Sequence, residues 1–363
     1  MTSRHLTRAL ALALVLLIAC TGVADAKRKK KRPVKKKKPA AALVVAPPTT
    51  RTWVSDAIVR VLATGAFAGV TADTIDPDGA LDGPALSAFV LAAFPQTGKR
   101  ARQIPAGQPV TLGDVDQAFV SAAGLDATAA RAEQLITGAG YVARPGVGYE
   151  IVARLMRLRT NLEQADDGKE HAWYEQASRA DAIWSAAQAL SWGGWEKQAA
   201  IDTVELLAAV PPTPPGPQHD AVQRAFDFIG MPYIWGGTSE KPQILFGFNT
   251  AGGFDCSGFV WRVLALDPTS PSSIAGALGG RTTYEMAGKT PQEKRLTAAQ
   301  VQPGDVLLFG PGGVNAQSGA IGHTGMAISP QLFIQSSGQG IALARWDTGY
   351  YKDRLAFAKR VLP

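Results

Sequence analysis

The chain reads Gly253-Phe254-Asp255-Cys256-Ser257-Gly258, followed at once by the apolar run Phe259-Val260-Trp261-Arg262-Val263-Leu264. The spacing of the apolar residues predicts a helix that begins at Cys256. At the first turn of a helix the backbone N–H groups lack helical partners, and the helix dipole places positive charge there. We therefore expect Cys256 to be a nucleophile whose thiolate form is favoured over its thiol. The alternative is a small buried hydrophobic cysteine without chemistry.

A cysteine nucleophile needs an imidazole as its proton acceptor. The chain has four histidines, and three stand in unpromising places: His5 precedes an apolar run, His171 stands among charged residues, and His219 adjoins a proline-rich stretch. His323 stands in Gly322-His323-Thr324-Gly325-Met326-Ala327, which predicts a short strand that begins after a glycine. His323 is therefore the candidate base, unless it is an ordinary histidine at a strand edge.

A second apolar run, Leu332-Phe333-Ile334-Gln335, predicts an adjacent antiparallel strand. The amide of Gln335 would then point at His323 and select one tautomer of its imidazole. Taken alone, Gln335 is an ordinary polar residue at a strand end. A cysteine, a histidine and a polar residue in this order, within about 80 residues, are typical of papain-like catalysis.

Residues 221 to about 340 resemble the NlpC-type cell-wall peptidases, a papain-like α+β family. Several short motifs carry the resemblance together. They are Pro232-Tyr233-Ile234-Trp235-Gly236-Gly237, Asp255-Cys256-Ser257-Gly258, Arg281-Thr282, Gln302-Pro303-Gly304-Asp305 and Gly322-His323-Thr324-Gly325.

The resemblance implies that Cys256 attacks the substrate, that His323 activates it and that Gln335 fills the third polar position. It also implies that Tyr233 lies by the oxyanion site, and that Asp255 and Ser257 line the pocket for the acyl-side residue. Family members usually cut the amide between the γ-carboxyl of D-glutamate and a diamino acid in peptidoglycan stem peptides. The implied mechanism uses no metal and no cofactor.

Two features depart from the family pattern. The third position is often histidine in the family, whereas Gln335 can orient an imidazole but cannot carry a charge that stabilises the imidazolium. The glycine-rich loop at residues 238–253 is also long and carries Phe246 and Phe248. It either caps the cleft and restricts the stem peptides that enter, or is a plain surface loop.

Five prolines within residues 211–217 predict an extended linker. We therefore expect two folded domains, a mostly helical one at residues 51–210 and the α+β catalytic domain at residues 218–363. Helical periodicity is expected at residues 55–62, 85–94, 148–162 and 179–190. The middle region faintly resembles S-layer homology modules, chiefly at Ser178-Arg179-Ala180-Asp181, and such modules attach proteins to wall polymers. Plain helical packing is the simpler alternative.

Residues 1–26 are typical of a secretory signal peptide. Arg4 and Arg8 precede an 11-residue apolar run, and Ala24-Asp25-Ala26 matches a small-residue cleavage site. A competing reading takes Leu17-Ile18-Ala19-Cys20 as a lipoprotein box in which Cys20 is lipidated. Either reading predicts export to the cell envelope or beyond. In either case Cys256 remains the one free cysteine of the mature chain.

The net charge of +7 is concentrated near the N-terminus. Residues 1–40 hold 12 of the 37 Lys and Arg, which leaves 25 basic against 29 acidic residues in the rest of the chain. The sequence therefore gives no indication of a folded nucleic-acid-binding surface. The block from Lys27 to Lys38 has ten basic residues out of twelve. It lies in a segment, residues 27–50, that is expected to be disordered. Its expected contacts are anionic wall polymers or lipid headgroups.

We therefore expect a secreted cysteine peptidase that hydrolyses peptidoglycan. Two alternatives remain open. One is a wall-binding envelope protein with a weak or inactive peptidase fold, a reading that Gln335 supports. The other is an acyltransferase or amidase on the same scaffold, because the thiolate chemistry is shared.

Overall fold

A computed structural model describes residues 52–67, 74–96, 104, 107–266 and 272–363. These residues belong to one compact unit. The predicted signal peptide and the basic segment around Lys27 and Lys38 lie outside the described residues, as does Cys20. No helix in the described part of the chain is long and apolar enough to span a bilayer.

The first part of the described chain is helical. Several of its helices begin at side-chain caps, and Ser178 and Asp181 form a reciprocal capping box at the start of α6. The helices of this region are α1 (Ser55–Leu62), α2 (Gly83–Ala93), α3 (Leu112–Ala122), α4 (Asp126–Gly138), α5 (Val147–Leu155), α6 (Arg179–Ser191) and α7 (Trp195–Glu205).

The helix expected at residues 148–162 is too long, and this prediction is wrong in its second half. Helix α5 ends at Leu155, and Arg157 adopts a positive φ of 59°. The reversal brings Arg159 to the buried carboxylate of Asp116, with which it forms an ion pair. Apolar spacing continues past the end of the helix because Leu158 and Leu162 are buried in the extended segment that follows.

The C-terminal part combines short helices with antiparallel strands, which agrees with the expected α+β class. Pro217 is the first residue of α8, a position where its missing N–H costs nothing. The helices are α8 (Pro217–Asp227), α9 (Cys256–Leu264), α10 (Ser272–Leu278), α11 (Thr283–Gly288) and α12 (Gly349–Arg354). The strands are β1 (Thr238–Ser239), β2 (Gln243–Leu245), β3 (Phe248–Thr250), β4 (Gly253–Phe254), β5 (Val306–Phe309), β6 (His323–Ala327), β7 (Leu332–Ser337), β8 (Gly340–Arg345) and β9 (Leu355–Lys359).

The central sheet has the order β8-β7-β6-β5-β9, and all its neighbouring strands are antiparallel. Successive residues of β5 point to opposite faces, as the strand period requires. Val306 and Leu308 join the main core, which also includes the buried face of α9, whereas Leu307 and Phe309 join a second apolar cluster. Helix α9 packs against β6 and β7, so the nucleophile's helix lies beside the strands that carry His323 and Gln335.

The long loop at residues 238–253 contains β1, β2 and β3 and ends at the first residue of β4. Strands β2 and β3 form a hairpin, and β1 pairs with β4 immediately before Cys256. The hairpin turn exposes Ile244, Phe246 and Phe248.

The helical region contacts the turn between β7 and β8. Arg154 donates from Nη1 to the carbonyl of Gln339 at 3.0 Å, and the N–H of Asn161 donates to the carbonyl of Gly338 at 3.1 Å. Arg154 is itself buried and pairs with Glu150 at 3.4 Å. The strand that carries Gln335 is therefore anchored at its end by the helical region.

Candidate active site

Cys256 is the first residue of α9, as the sequence predicts. Asp255 is the N-cap, and its Oδ1 accepts a hydrogen bond from the N–H of Gly258 at 2.6 Å. Gly258 is required here because a Cβ at this position would lie 1.9 Å from the carbonyl oxygen of Gly237. The segment after Tyr233 therefore lies directly on the first turn of the nucleophile's helix.

The sulfur of Cys256 meets two backbone N–H groups, those of Ser257 and Thr324, and both favour the thiolate. Thr324 follows His323 in β6, so this contact brings the nucleophile to the start of the strand that carries the candidate base. Burial and the Asp255 carboxylate nevertheless raise the pKa of Cys256 from its usual value near 9 to about 11. The expectation of a favoured thiolate is therefore wrong for the free domain, because desolvation and a neighbouring negative charge outweigh the helix N-terminus.

His323 and Gln335 meet as the sequence predicts. His323 Nε2 lies 2.5 Å from Gln335 Oε1. A carbonyl oxygen can only accept, so Nε2 carries the proton and Nδ1 of the neutral ring is free to take one. Burial lowers the pKa of His323, with opposing contributions from Gln335 and Asp255. A neutral thiol and a neutral imidazole are therefore the resting state near neutral pH.

Asp255 and Ser257 are both buried and are held by hydrogen bonds within the domain. Asp255 Oδ2 accepts from the N–H of Gly236 at 3.0 Å and from Arg281 Nη2 at 2.8 Å. The Ser257 hydroxyl donates to Asp255 at 3.2 Å and accepts from Arg281 Nη1 at 2.7 Å. These contacts give both residues a structural role beside the nucleophile, and their predicted role in lining the acyl-side pocket remains a prediction.

Tyr233 reaches the same place from the other side. It forms an isolated bridge with Phe254, two residues before the nucleophile. Burial, followed by the charges of Cys256 and Asp255, raises its pKa above the ordinary tyrosine range. The phenol therefore stays protonated and able to donate a hydrogen bond, which is the property that an oxyanion site requires.

A small polar cavity of about 30 Å³ lies next to Tyr233, on the side of the helical region. Its lining includes Trp53 and Trp184, and their indole N–H groups are buried without a hydrogen-bond partner. Its volume and polar lining suit ordered water. The helical region thus borders the site through this cavity.

Two residues of the site were not among the sequence candidates. Arg281 belongs to a quoted motif, but only the fold shows that it binds both Asp255 and Ser257. Tyr351, on α12, donates from its hydroxyl to Gln335 Oε1 at 2.7 Å. No sequence signal indicates that contact, because α12 is a short helix separated from β7 by the whole of β8. Among the described residues, no group of His, Cys, Asp or Glu side chains is placed to hold a metal ion.

Residues 230–360 match the family model described as the NlpC/P60 family. This part of the chain is an NlpC/P60 domain. Its matched range contains the cysteine, the histidine and the glutamine described above, together with Tyr233, Arg281 and Tyr351.

Curated relatives match over about two fifths of the chain. The chain is 32% identical to a probable peptidoglycan endopeptidase, LytE, from Bacillus subtilis, over 38% of this chain and 33% of the relative. It is 28% identical to a gamma-D-glutamyl-L-lysine dipeptidyl-peptidase from the same organism, over 40% of this chain and 41% of the relative. The chain thus spans well under half the length of these relatives.

A crystal structure of an NlpC/P60 family protein from Bacillus cereus is 23% identical. It matches over 42% of each chain with a TM-score of 0.31.

Proposed function

We propose that the NlpC/P60 domain is a cysteine peptidase that hydrolyses an amide bond in peptidoglycan stem peptides. The observation that carries the proposal is the meeting of Cys256, at the start of α9, with the strand on which His323 is hydrogen-bonded to Gln335. The names of the relatives, a probable peptidoglycan endopeptidase and a gamma-D-glutamyl-L-lysine dipeptidyl-peptidase, support the substrate class. The bond proposed is the one between the γ-carboxyl of D-glutamate and the diamino acid.

In this mechanism His323 Nδ1 takes the proton of the Cys256 thiol as sulfur attacks the amide carbonyl. The negative charge that develops on the carbonyl oxygen is stabilised by backbone N–H groups at the start of α9 and by the hydroxyl of Tyr233. His323 then gives its proton to the leaving amine, and an acyl-enzyme remains on Cys256. Water, deprotonated by the same imidazole, hydrolyses the thioester and restores the thiol.

Gln335 accounts for the direction of these proton transfers. Its oxygen keeps the proton on Nε2 of the neutral ring, so that Nδ1 is available to the thiol. As a neutral partner it also stabilises the imidazolium less than a carboxylate would. The protonated histidine is therefore short-lived, and it readily returns its proton to the leaving group.

The test is digestion of purified peptidoglycan and analysis of the soluble products by mass spectrometry. The wild-type chain should release fragments that end at D-glutamate, and Cys256→Ala should release none. His323→Gln and Cys256→Ala should unfold at temperatures close to that of the wild type, which excludes misfolding as the cause of any loss. Equal release by the wild type and Cys256→Ala would contradict the assignment of the nucleophile.

The same experiment separates the alternatives. An added amine that appears on the new D-glutamyl carboxyl would identify an acyltransferase. No product from any variant, with retention of the protein on sedimented walls, would identify a wall-binding protein.

We further propose that the chain is exported, with residues 1–26 as its signal peptide, and that residues 51–210 contribute to targeting the wall. Arg4, Arg8 and the apolar run after them support export. The N-terminal peptide of the protein recovered from culture should begin at Lys27, whereas a lipidated N-terminus at Cys20 would establish the lipoprotein route. Replacement of the basic residues between Lys27 and Lys38 by glutamine should weaken sedimentation with anionic wall polymer if that block binds it.

A further inference from the structure

The third polar residue of the site is an amide, and its two ends differ in chemistry. The oxygen of Gln335 accepts a hydrogen bond and keeps the proton of His323 on Nε2. If the amide rotated by half a turn, its NH₂ group would donate to Nε2 and move the imidazole proton to Nδ1. The ring could then no longer take a proton from the thiol, so the site needs a device that selects the oxygen end.

Tyr351 is placed to do this. Its hydroxyl donates to the same oxygen at 2.7 Å, and a carbonyl oxygen has two lone pairs for two donors. Burial raises the pKa of Tyr351 overall, against smaller lowering contributions from its hydrogen bonds to Gln335 and Ser337. The hydroxyl of Tyr351 therefore stays protonated, and remains a donor, near neutral pH.

The ring of Tyr351 is held on three sides. Its centroid lies 5.2 Å from that of Phe309, 4.9 Å from that of Phe333 and 5.8 Å from the imidazole of His323. Gln335 itself is only 4% exposed, so water cannot readily replace the tyrosine as the second donor. The neighbouring Tyr350, by contrast, is 63% exposed.

We propose that Tyr351 is a positioning residue, whose hydroxyl turns the oxygen of Gln335 toward His323 and so keeps Nδ1 of the imidazole available as the base. The proposal rests on the proposed peptidase function of the same site. Tyr351 acts through Gln335 and makes no contact with the substrate in this reading.

The first test compares Tyr351→Phe with the matched control Tyr350→Phe in the full chain. The first should lower kcat/KM for a stem-peptide substrate about tenfold, the factor that corresponds to loss of one buried hydrogen bond. KM should change little, because the lost contact orients the base. Tyr350→Phe should stay within about twofold of the wild type, and equal activities for the two variants would overturn the proposal.

The second test separates positioning from packing. The Gln335→Glu carboxylate presents two equivalent oxygens and needs no donor to choose between them. In a Gln335→Glu background, Tyr351→Phe should therefore cost at most about twofold. A loss as large as in the wild-type background would show that the tyrosine acts only by packing, and would overturn the proposal.

A readout without substrate separates failure of this proposal from failure of the proposed peptidase function. The ¹⁵N shifts of the imidazole in histidine-labelled protein report which ring nitrogen carries the proton, and His323→Gln identifies the resonances of this residue. The wild type should show the Nε2–H tautomer, and Tyr351→Phe should show a mixture with Nδ1–H. An unchanged tautomer in Tyr351→Phe would overturn the positioning role even if the protein cuts peptidoglycan. A mixture in a protein that cuts nothing would support the role while the proposed function fails.

Discussion

The ion pair of Asp255 and Arg281 should set the reactivity of the nucleophile, with opposite effects from its two members. The Asp255 carboxylate raises the pKa of Cys256, whereas the Arg281 guanidinium lowers it. Asp255→Asn should therefore lower this pKa, and Arg281→Gln should raise it. Asparagine also remains a good N-cap, so the start of α9 is kept.

The pKa of Cys256 in the wild type sets the expected rate of its alkylation. With a pKa of about 11, only about 0.1% of Cys256 is thiolate at pH 8, compared with about 10% for a thiol of pKa near 9. A thiolate of higher pKa is intrinsically more nucleophilic, which recovers about half of that hundredfold difference on a logarithmic scale. Alkylation of Cys256 by iodoacetamide should therefore be about tenfold slower than that of a cysteine in a model peptide.

The assay is the rate of carbamidomethylation of the Cys256 peptide, followed by mass spectrometry from pH 6 to pH 10. At pH 8 Asp255→Asn should react faster than the wild type and Arg281→Gln more slowly. Each variant loses a charge-assisted hydrogen bond worth about 1–3 kcal/mol, so thermal unfolding must show that both are folded at the assay temperature. The control is Glu205→Gln, which removes the partner of Arg131 in the helical region at 3.3 Å.

The sign of the response tests the reasoning. If both variants react more slowly, or both faster, the substitutions act by disturbing the packing around α9 and not through charge. If the wild type reacts faster than the model peptide at pH 6, a thiolate is already formed there. That result would refute the dominance of burial and Asp255 over the helix N-terminus.

Three further predictions concern pH and stability. Because burial lowers the pKa of His323, the acid limb of the pH profile of kcat/KM should lie below pH 6.5, the usual pKa of histidine. Gln335→Glu should move this limb to higher pH. A limb above pH 6.5 in the wild type would contradict a lowered pKa of His323. Gly258→Ala should strongly destabilise the domain, since its Cβ would lie 1.9 Å from the Gly237 carbonyl oxygen, whereas Gly276→Ala, with nothing within 4 Å, should unfold at about the wild-type temperature. Ser336→Ala removes the buried hydrogen bond to the Phe254 carbonyl at 2.6 Å. It should lower the free energy of unfolding in urea by about 1–3 kcal/mol. A loss below about 0.5 kcal/mol would mean that this bond between β7 and the segment before Cys256 does not stabilise the domain.

The sequence by itself was enough for the parts of the site that depend on local pattern. Apolar spacing after Cys256 predicted a helix from that residue, and the two apolar runs around His323 and Gln335 predicted the antiparallel pair β6 and β7. Because side chains alternate along strands, these predictions also implied that His323 and Gln335 would meet. The α+β class is what the resemblance to the NlpC-type peptidases implies, and the helices and strands of residues 218–363 agree with it.

The prediction from helical periodicity was wrong where buried apolar residues lie outside a helix. Leu158 and Leu162 are buried in an extended segment, so their spacing continued the helical pattern beyond the end of α5 at Leu155. The turn at Arg157 lets Arg159 contact Asp116, 43 positions earlier in the chain than Arg159, and no local window contains that pair.

The tertiary structure alone decided the electrostatics of the nucleophile and the roles of Arg281 and Tyr351. A pKa depends on every charge and on the solvent around a group, and the burial that chiefly raises the pKa of Cys256 is produced by residues distant in sequence. The helix start at Cys256 and the charge of the adjacent Asp255 are both local features with opposite effects, whereas the burial that decides between them exists only in the folded domain. The contact of Tyr351 with Gln335 likewise arises because α12 packs back onto the sheet beside β7. Tertiary packing determines this contact, and sequence spacing does not reveal it.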